Sequence, residues 1–339
     1  MSGSRRPSAD RVTLEVVARV AGVSRATVSR VVNGKASVDE SLRQAVERAI
    51  SETGYLPNLA ARALVTRRAE AIALVLPEES RILGDPFFGR VVSGVTSVLT
   101  PLGLHLVLLM TGRHTREQVV TDLRQGRLDG VILIHTYPQD PLPGQLVKAR
   151  LPVVLAGKPQ TSARITHVDV DQAAGGALAA RHLHALGRRR FATITGPLDA
   201  PAGQGRLHGF RDTLTALGQS APLVAEGDFS RDGGAAAMSR LLAAEPELDA
   251  VFVASDLMAQ GALPVLRRHV RRVPADVAVV GFDDSSAALA CEPPLTTVRQ
   301  PVEDMAAELA RQVLTRVDNP EVPPAAVLFE PTLVHRDSA

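Results

Sequence analysis

The 339-residue sequence has little cysteine, little lysine and no long apolar run. Its one cysteine, Cys291, cannot close an internal disulfide, which fits a reducing compartment such as the cytoplasm. No apolar run approaches the ~18 residues of a membrane-spanning helix, so no membrane partner is expected. The opening MSGSRRPSADRV carries the pair Arg5-Arg6, but no apolar stretch follows, so no secretory signal is expected. Lys35, Lys148 and Lys158 are the lysines among many arginines, a bias that reflects codon usage rather than function. No G-x-S-x-G, H-E-x-x-H or P-loop motif is present, and GQGRLHG (203–209) lacks the G-x-G-x-x-G spacing.

The remainder is ordinary for a globular protein, with 45% hydrophobic and 22% charged residues. This length holds about two or three domains. Charge is unevenly spread. Residues 1–68 contain twelve Lys and Arg against six Asp and Glu, whereas the other 271 residues are slightly acidic. A basic end on an acidic body points to a polyanion-binding module joined to something else.

Periodicity within that basic end predicts two short helices. Thr13 is placed to cap the first, with Glu15 in its first turn. Leu14, Val17, Ala18 and Ala21 then recur on one face, and Gly22 supplies the left-handed stop. Ser24 caps the second helix, where Val23 and Val28 have hydrophobic-staple spacing and Val28, Val31 and Val32 face the core. Two short helices around a glycine turn make a helix-turn-helix. The valines form its seam, which leaves Arg25, Ala26, Ser29, Arg30 and Asn33 outside, with Thr27 nearby. A third helix is expected from about Val38 to Thr53, with Leu42, Ala45, Val46, Ala49 and Ile50 inward. After Pro57, residues 59–64 read as a helical stretch too short to hold alone in water, one that folds against a partner.

Beyond residue 70 short β-rich runs alternate with helical patterns: AIALVLP (71–77), LHLVLLM (104–110), GVILIH (130–135), PVVLAG (152–157), FATITG (191–196), AVFVAS (250–255) and VAVVGFDD (277–284). This alternation predicts parallel sheets with crossover helices, and there are enough strands for two. Ligands bind beyond the carboxyl ends of such strands, here Gly157, Gly196-Pro197, Ser255-Asp256 and Phe282-Asp283. Asp283-Asp284 could be a catalytic carboxylate pair, but one hydroxyl-binding and one helix-capping aspartate is the commoner arrangement. His182 and His184 lie two apart on a predicted helix and so point to different faces, which argues against a metal site. Cys291 has no basic neighbour in sequence and is expected to be inert.

The motifs TLEVVARVAGVSRATVSRVVNG (13–34) and GYLPNLAARAL (54–64) resemble the DNA-binding headpiece and hinge of the LacI/GalR family of bacterial transcriptional regulators. Downstream, DPFFGRVVSGV, VDVDQAAGGALAARHLHALGRRRFATITG, GRLHGFRDTL, VFVASDLMAQGAL and VAVVGFDDSSAALACEPPLTTVRQP extend the resemblance along the chain. It implies a small all-α helix-turn-helix domain followed by an α/β, two-lobed periplasmic-binding-protein type I core. The implied organisation is a disordered tail (1–10), a headpiece (11–56), a hinge helix and linker (57–69) and a core (70–339). Within the core the implied lobes are about 70–168 with 300–328, and about 169–298 with 330–337.

What the resemblance implies for the residues is specific. Ser24 to Arg30 would open a recognition helix in the major groove, with Arg25 and Ala26 at the positions that vary most with operator sequence. Thr13, Leu14, Thr27, Ser29, Asn33, Tyr55, Asn58, Ala61 and Arg62 would complete the DNA contacts, and Leu64 would wedge into the minor groove. Arg206 and Asp283 would meet a small ligand between the lobes, with Phe229 stacking on it and Phe87 and Phe88 forming an aromatic wall. Ser255 and Asp256 would line the same cleft from another strand end. Two departures bear on the ligand. Gly157 stands where sugar-binding members often have Asp, and Ala200 and Ala202 stand where purine-binding members have polar groups.

The implied function is a ligand-controlled repressor of carbohydrate genes that binds a pseudo-palindromic operator as a homodimer, with a sugar or polyol effector and no cofactor. A nucleoside effector, a solute-binding protein and an enzyme are the competing readings. The missing catalytic motifs and the basic headpiece weigh against the last two. No leucine heptads follow LVHRDS, so a dimer without a tetramerising tail is expected.

Overall fold

A computed structural model of the chain describes residues 12–32, 37–55, 68–77, 84–112, 116–134, 140–160 and 164–339. The expectations placed on residues 1–10, Asn33, Asn58, Ala61, Arg62 and Leu64 lie outside the described residues. The chain divides into two compact units, Met1–Ala69 and Glu70–Ala339.

The first unit is helical: α1 (Leu14–Ala21), α2 (Arg25–Val32) and α3 (Glu40–Thr53). Gly22 ends α1 at φ +67°, a left-handed conformation that costs a side-chain-bearing residue dearly, and its N–H donates to Ala18 O. Ser24 Oγ accepts from Thr27 N at 3.1 Å and so caps α2. Val17, Val28 and Val46 are wholly buried, one from each helix, and form a common core with Ala18, Val31, Ala49 and Tyr55. Burying a valine of this kind contributes about 1.5–3 kcal/mol. Three local expectations change. Thr13 makes no side-chain capping bond. The third helix begins at Glu40 because Asp39 accepts from Ser41 N and caps it there. Leu42, expected inward, is 41% exposed, since the short α1 and α2 cannot cover every apolar position of the longer α3.

The second unit contains two six-stranded sheets. The first sheet takes β1 (Ala71–Pro77), β2 (His105–Thr111), β3 (Gly130–Ile134), β4 (Val153–Ala156), β5 (Thr166–Val170) and β11 (Ala326–Phe329), in the order β11-β5-β4-β3-β1-β2, all parallel. The second takes β6 (Phe191–Thr195), β7 (Leu223–Glu226), β8 (Ala250–Val253), β9 (Ala278–Asp283), β10 (Thr296–Arg299) and β12 (Thr332–Val334), in the order β12-β10-β9-β8-β6-β7. Among the described residues, only β12 pairs antiparallel, with β10. The central strands are buried throughout, as expected of parallel strands covered on both faces.

The chain passes between the sheets three times: from β5 into α7 (Gln172–Ala185), from β10 into α12 (Val302–Asp318), and from β11 into β12. The first passage follows Val170, so β5 lies wholly in the first sheet, beyond the expected edge at 168. Between them α4 (Pro86–Leu99), α5 (Arg116–Arg124) and α6 (Pro141–Lys148) follow strands of the first sheet. In the second sheet α8 (Pro201–Ala216), α9 (Arg231–Ala244), α10 (Asp256–Arg268) and the single turn α11 (Ser286–Leu289) do the same. Each lobe has its own apolar core, one around Ile72, Leu74, Ile132 and Val95, the other around Ile194, Val251, Val253 and Leu266. Among the described residues no helix is long and apolar enough to cross a membrane.

Candidate functional site

Three strands of the second sheet end side by side at Thr195, Val253 and Asp283, and a buried arginine sits among them. Arg206 lies on α8, whose start at Pro201 turns GQGRLHG into helix rather than a phosphate loop. Its Nε donates to Gln172 Oε1 at 2.8 Å and one terminal nitrogen to Ala254 O at 2.5 Å. The guanidinium lies 3.6 Å from the centre of the Phe282 ring and 5.8 Å from that of Phe229. The same terminal nitrogen stands 3.7 Å from Asp283 Oδ1, an ion pair too long to be a hydrogen bond.

Asp283 is pinned by two further groups. Its Oδ1 accepts from Gln300 Nε2, its carbonyl accepts from Arg90 on α4 at 2.9 Å, and Arg90 is itself held by both oxygens of Glu303 at 2.7 Å. The backbone there is strained, with φ +112° at Asp283 and +50° at Asp284, conformations that persist only where surroundings over-determine them. Phe229 is likewise at φ +63°. Its ring rests on bare backbone: a Cβ added to Gly196 would fall 2.0 Å from Phe229 Cζ, so glycine is required there.

Arg90 brings the start of α4, and so the first lobe, up to this cluster. Asp85 caps α4 by accepting from Phe87 N at 2.9 Å. Phe87 is half-buried beside it, edge-on to Phe88 at 5.3 Å. Asp169, at the end of β5, accepts from Gln172 Nε2 at 2.8 Å, so Gln172 bridges Asp169 and Arg206. Burial draws the Arg206 pKa down against the opposing charges of Asp283, Asp169, Asp256 and Asp85, yet a guanidinium stays protonated. Burial likewise raises Asp283, Asp169 and Asp85 above the usual carboxylate range, with Arg206 acting against it in each case. Arg206 among several carboxylates, with Arg90 neutralised by Glu303, and two aromatic faces suit a neutral, many-hydroxyl ligand: carboxyl groups accept, amide and guanidinium groups donate, rings cover an apolar face.

Not every expected ligand residue reaches this cleft. Asp256 is fully buried with both oxygens used, Oδ1 accepting from Thr297 Oγ1 at 2.6 Å and Oδ2 from Ser285 N at 2.8 Å. Burial pushes its carboxyl up to about 7. It ties three segments of the second lobe together. Ser255 is also buried, its Oγ capping α10 at Met258 N. Phe88 belongs to the core of the first lobe, which leaves Phe87 as the accessible ring of the pair. Asp284, expected to cap a helix, instead takes Arg299 at 2.6 Å and Arg336, while Ser285 caps α11. Cys291 is buried, with its thiol pushed up to about 12 by burial. Sequence reasoning missed Asp85, Arg90, Asp169, Gln172 and Gln300, because each meets Arg206 or Asp283 only after distant segments fold together.

In the helical unit Ser24, Arg25, Ala26 and Arg30 are exposed on one end and face of α2, with Thr27 and Ser29 half-buried beside them. Thr13 is exposed and Leu14 half-buried against the core. Tyr55, expected at the DNA surface, is instead 8% exposed within that core, where an aromatic ring fills the space under α3.

Comparison with known proteins agrees with both parts. Residues 13–58 match the family of bacterial regulatory proteins of the lacI type, and residues 180–339 match the periplasmic binding protein-like domain. The HTH-type transcriptional regulator CelR of Thermobifida fusca is 45% identical over 345 aligned positions, covering 100% of both chains. A structure of a transcriptional regulator CelR–cellobiose complex matches with a TM-score of 0.76 at 43% identity, over 97% of this chain and 100% of that one. The lac repressor dimer bound to operator and the anti-inducer ONPF matches with a TM-score of 0.86 at 29% identity, over 97% and 99%. These relatives are transcriptional regulators rather than enzymes. With its helix-turn-helix, its two-sheet core and a full-length relative at 45% identity, the chain belongs to the lacI family of bacterial regulatory proteins.

Proposed function

We propose that this chain is a cytoplasmic repressor of carbohydrate-utilisation genes, one that binds a pseudo-palindromic operator as a homodimer and takes a short neutral oligosaccharide, of the cellobiose class, between its two lobes. The observation that carries the ligand reading is the Arg206 cluster: a single buried guanidinium shared among Gln172, Ala254 O and Asp283, with Phe229 alongside. A phosphate would need a second cation free to meet it, and the other arginine at the cluster, Arg90, is already bound by both oxygens of Glu303 and by the Asp283 carbonyl. The cellobiose complex of a relative at 43% identity supports the choice of sugar. Dimerisation is supported by the edge strands. Leu108 and Met110 on β2, and Leu223 and Val224 on β7, are exposed apolar residues at the open edges of the two sheets, and uncovered edges of this kind invite pairing. A ligand acts through its differential affinity for the open and closed lobe arrangements.

The test is selection of duplex DNA from a randomised library, followed by binding to the selected duplex with and without cellobiose. Maltose, ribose and glucose 6-phosphate serve as controls. Enrichment of a palindromic sequence and a cellobiose-specific change in affinity are expected. Absence of enrichment sinks the operator reading, and a response to glucose 6-phosphate alone sinks the neutral-sugar reading.

Two variants follow from the geometry. Gly196→Ala displaces the Phe229 ring and weakens sugar binding about tenfold, as loss of an aromatic face of roughly 1.4 kcal/mol would. Unchanged affinity by calorimetric titration would remove Phe229 from the ligand contact. Arg25→Ala on the exposed end of α2 costs about 1–3 kcal/mol of base discrimination at one position of each half-site. A uniform weakening across all sequences would make Arg25 a phosphate contact only.

A further inference from the structure

The exposed first turn of α1 carries an acidic side chain in a surface region dominated by cations. Glu15 Oε1 accepts from Arg25 Nε at 2.8 Å, joining the start of α1 to the start of α2. Both side chains are more than half exposed, so the pair adds little to the stability of the unit. On a surface that meets phosphate groups, a carboxylate is also a liability, because it repels the backbone it approaches. Its placement is explained by what it does to Arg25. Occupying Nε fixes the guanidinium plane and leaves the end-on fork of the two terminal nitrogens to meet O6 and N7 of a guanine. The carboxylate is itself held: a backbone bond at its own position and the Thr13 side chain draw its pKa down, with Arg25 adding to them, so it stays charged at neutral pH.

We propose that Glu15 is a specificity-positioning residue that orients Arg25 for guanine and makes the headpiece discriminate against other bases at that position. The proposal rests on the operator-binding reading above. A long arginine without a brace samples many rotamers and reaches neighbouring phosphates as readily as bases. A braced arginine has one productive direction, and the brace repels phosphate. Glu15 therefore trades non-specific affinity for base selectivity.

The test compares the wild-type chain, Glu15→Ala, Glu15→Gln, Arg25→Ala and the double variant Glu15→Ala/Arg25→Ala in selections from a randomised duplex library. Binding to non-specific duplex is measured over a range of salt. Glu15→Ala is expected to lose about fivefold in preference for guanine at the position that Arg25→Ala relaxes, and to bind non-specific DNA at least as tightly as the wild type. Glu15→Gln, which keeps an acceptor for Nε, retains more of the preference than Ala. In the Arg25→Ala background, Glu15→Ala changes nothing further. A residue with only a structural role would instead lower the melting temperature and weaken all sequences alike. If Glu15→Ala keeps the wild-type base preferences, or alters them equally in the absence of Arg25, the proposal is overturned while the operator reading stands. If the wild-type chain itself enriches no sequence, both fall.

Discussion

Arg206→Ala leaves operator binding in place and removes the response to cellobiose. The substitution takes away the guanidinium that Gln172, Ala254 O and Asp283 share, in a pocket where the arginine is 4% exposed. Removing the guanidinium lets Asp283, whose carboxyl burial already raises, take up a proton, and leaves the acceptors Gln172 Oε1 and Ala254 O unpaired, at a cost of about 1–3 kcal/mol each to the second unit. The headpiece is a separate compact unit with its own core, so its fold does not depend on this pair. Adding Asp283→Asn to Arg206→Ala replaces that carboxyl with a neutral group of the same shape and does not restore the response. Urea unfolding of the three variants and operator binding titrated with cellobiose check both halves. A normal response in Arg206→Ala would place the effector away from these strand ends.

Asp256→Asn makes the core more stable at neutral pH and flattens its pH dependence. Burial raises the folded-state carboxyl to about 7, well above the usual carboxylate range of the unfolded chain. Below the lower value both states hold the proton and the group contributes no pH dependence. As pH rises from there toward the folded value the unfolded chain releases its proton first, so stability falls, by up to about 1.4 kcal/mol per pH unit. Above the folded value both states are ionised and the loss is complete. Asparagine fits the same cage, its Oδ1 accepting from Ser285 N and its amide donating to Thr297 Oγ1. The difference between the variant and wild-type unfolding curves, taken from pH 4.5 to 8, isolates this group. Parallel curves would mean that Asp256 titrates as an ordinary surface carboxylate.

The helix-turn-helix was legible in residues 13–34 because everything it needs is local. Gly22 stops one helix, Ser24 starts the next, and valines at helical spacing supply the seam, and among the described residues the core of this unit draws on none beyond Tyr55. The seven apolar runs of the second unit were equally plain, each becoming a central or flanking strand within a residue or two of its expected span. The strands that escaped notice were short or mixed: THVDV (166–170), LVAE (223–226), TTVR (296–299), AVLF (326–329) and TLV (332–334). Most lie at or near a sheet margin, where a strand needs few apolar residues and its pairing comes from the neighbour.

The ligand cluster divides along the same line. Arg206 and Asp283 stood out through family motifs, and Phe229 through its own, but their partners are a matter of chain folding. Gln172 reaches Arg206 across 34 residues, Thr297 reaches Asp256 across 41, and Arg90 reaches Asp283 across 193. Sequence pattern reports the period and the stops of each segment, which are set by neighbours three or four residues away. It therefore specified the helices, the parallel strands and the basic reading face. Which carboxylate faces the cleft and which is walled in was decided by the tertiary structure alone. The fates of Asp283 and Asp256 differ in burial and in the distant groups packed against them, and neither is encoded in the few residues on either side.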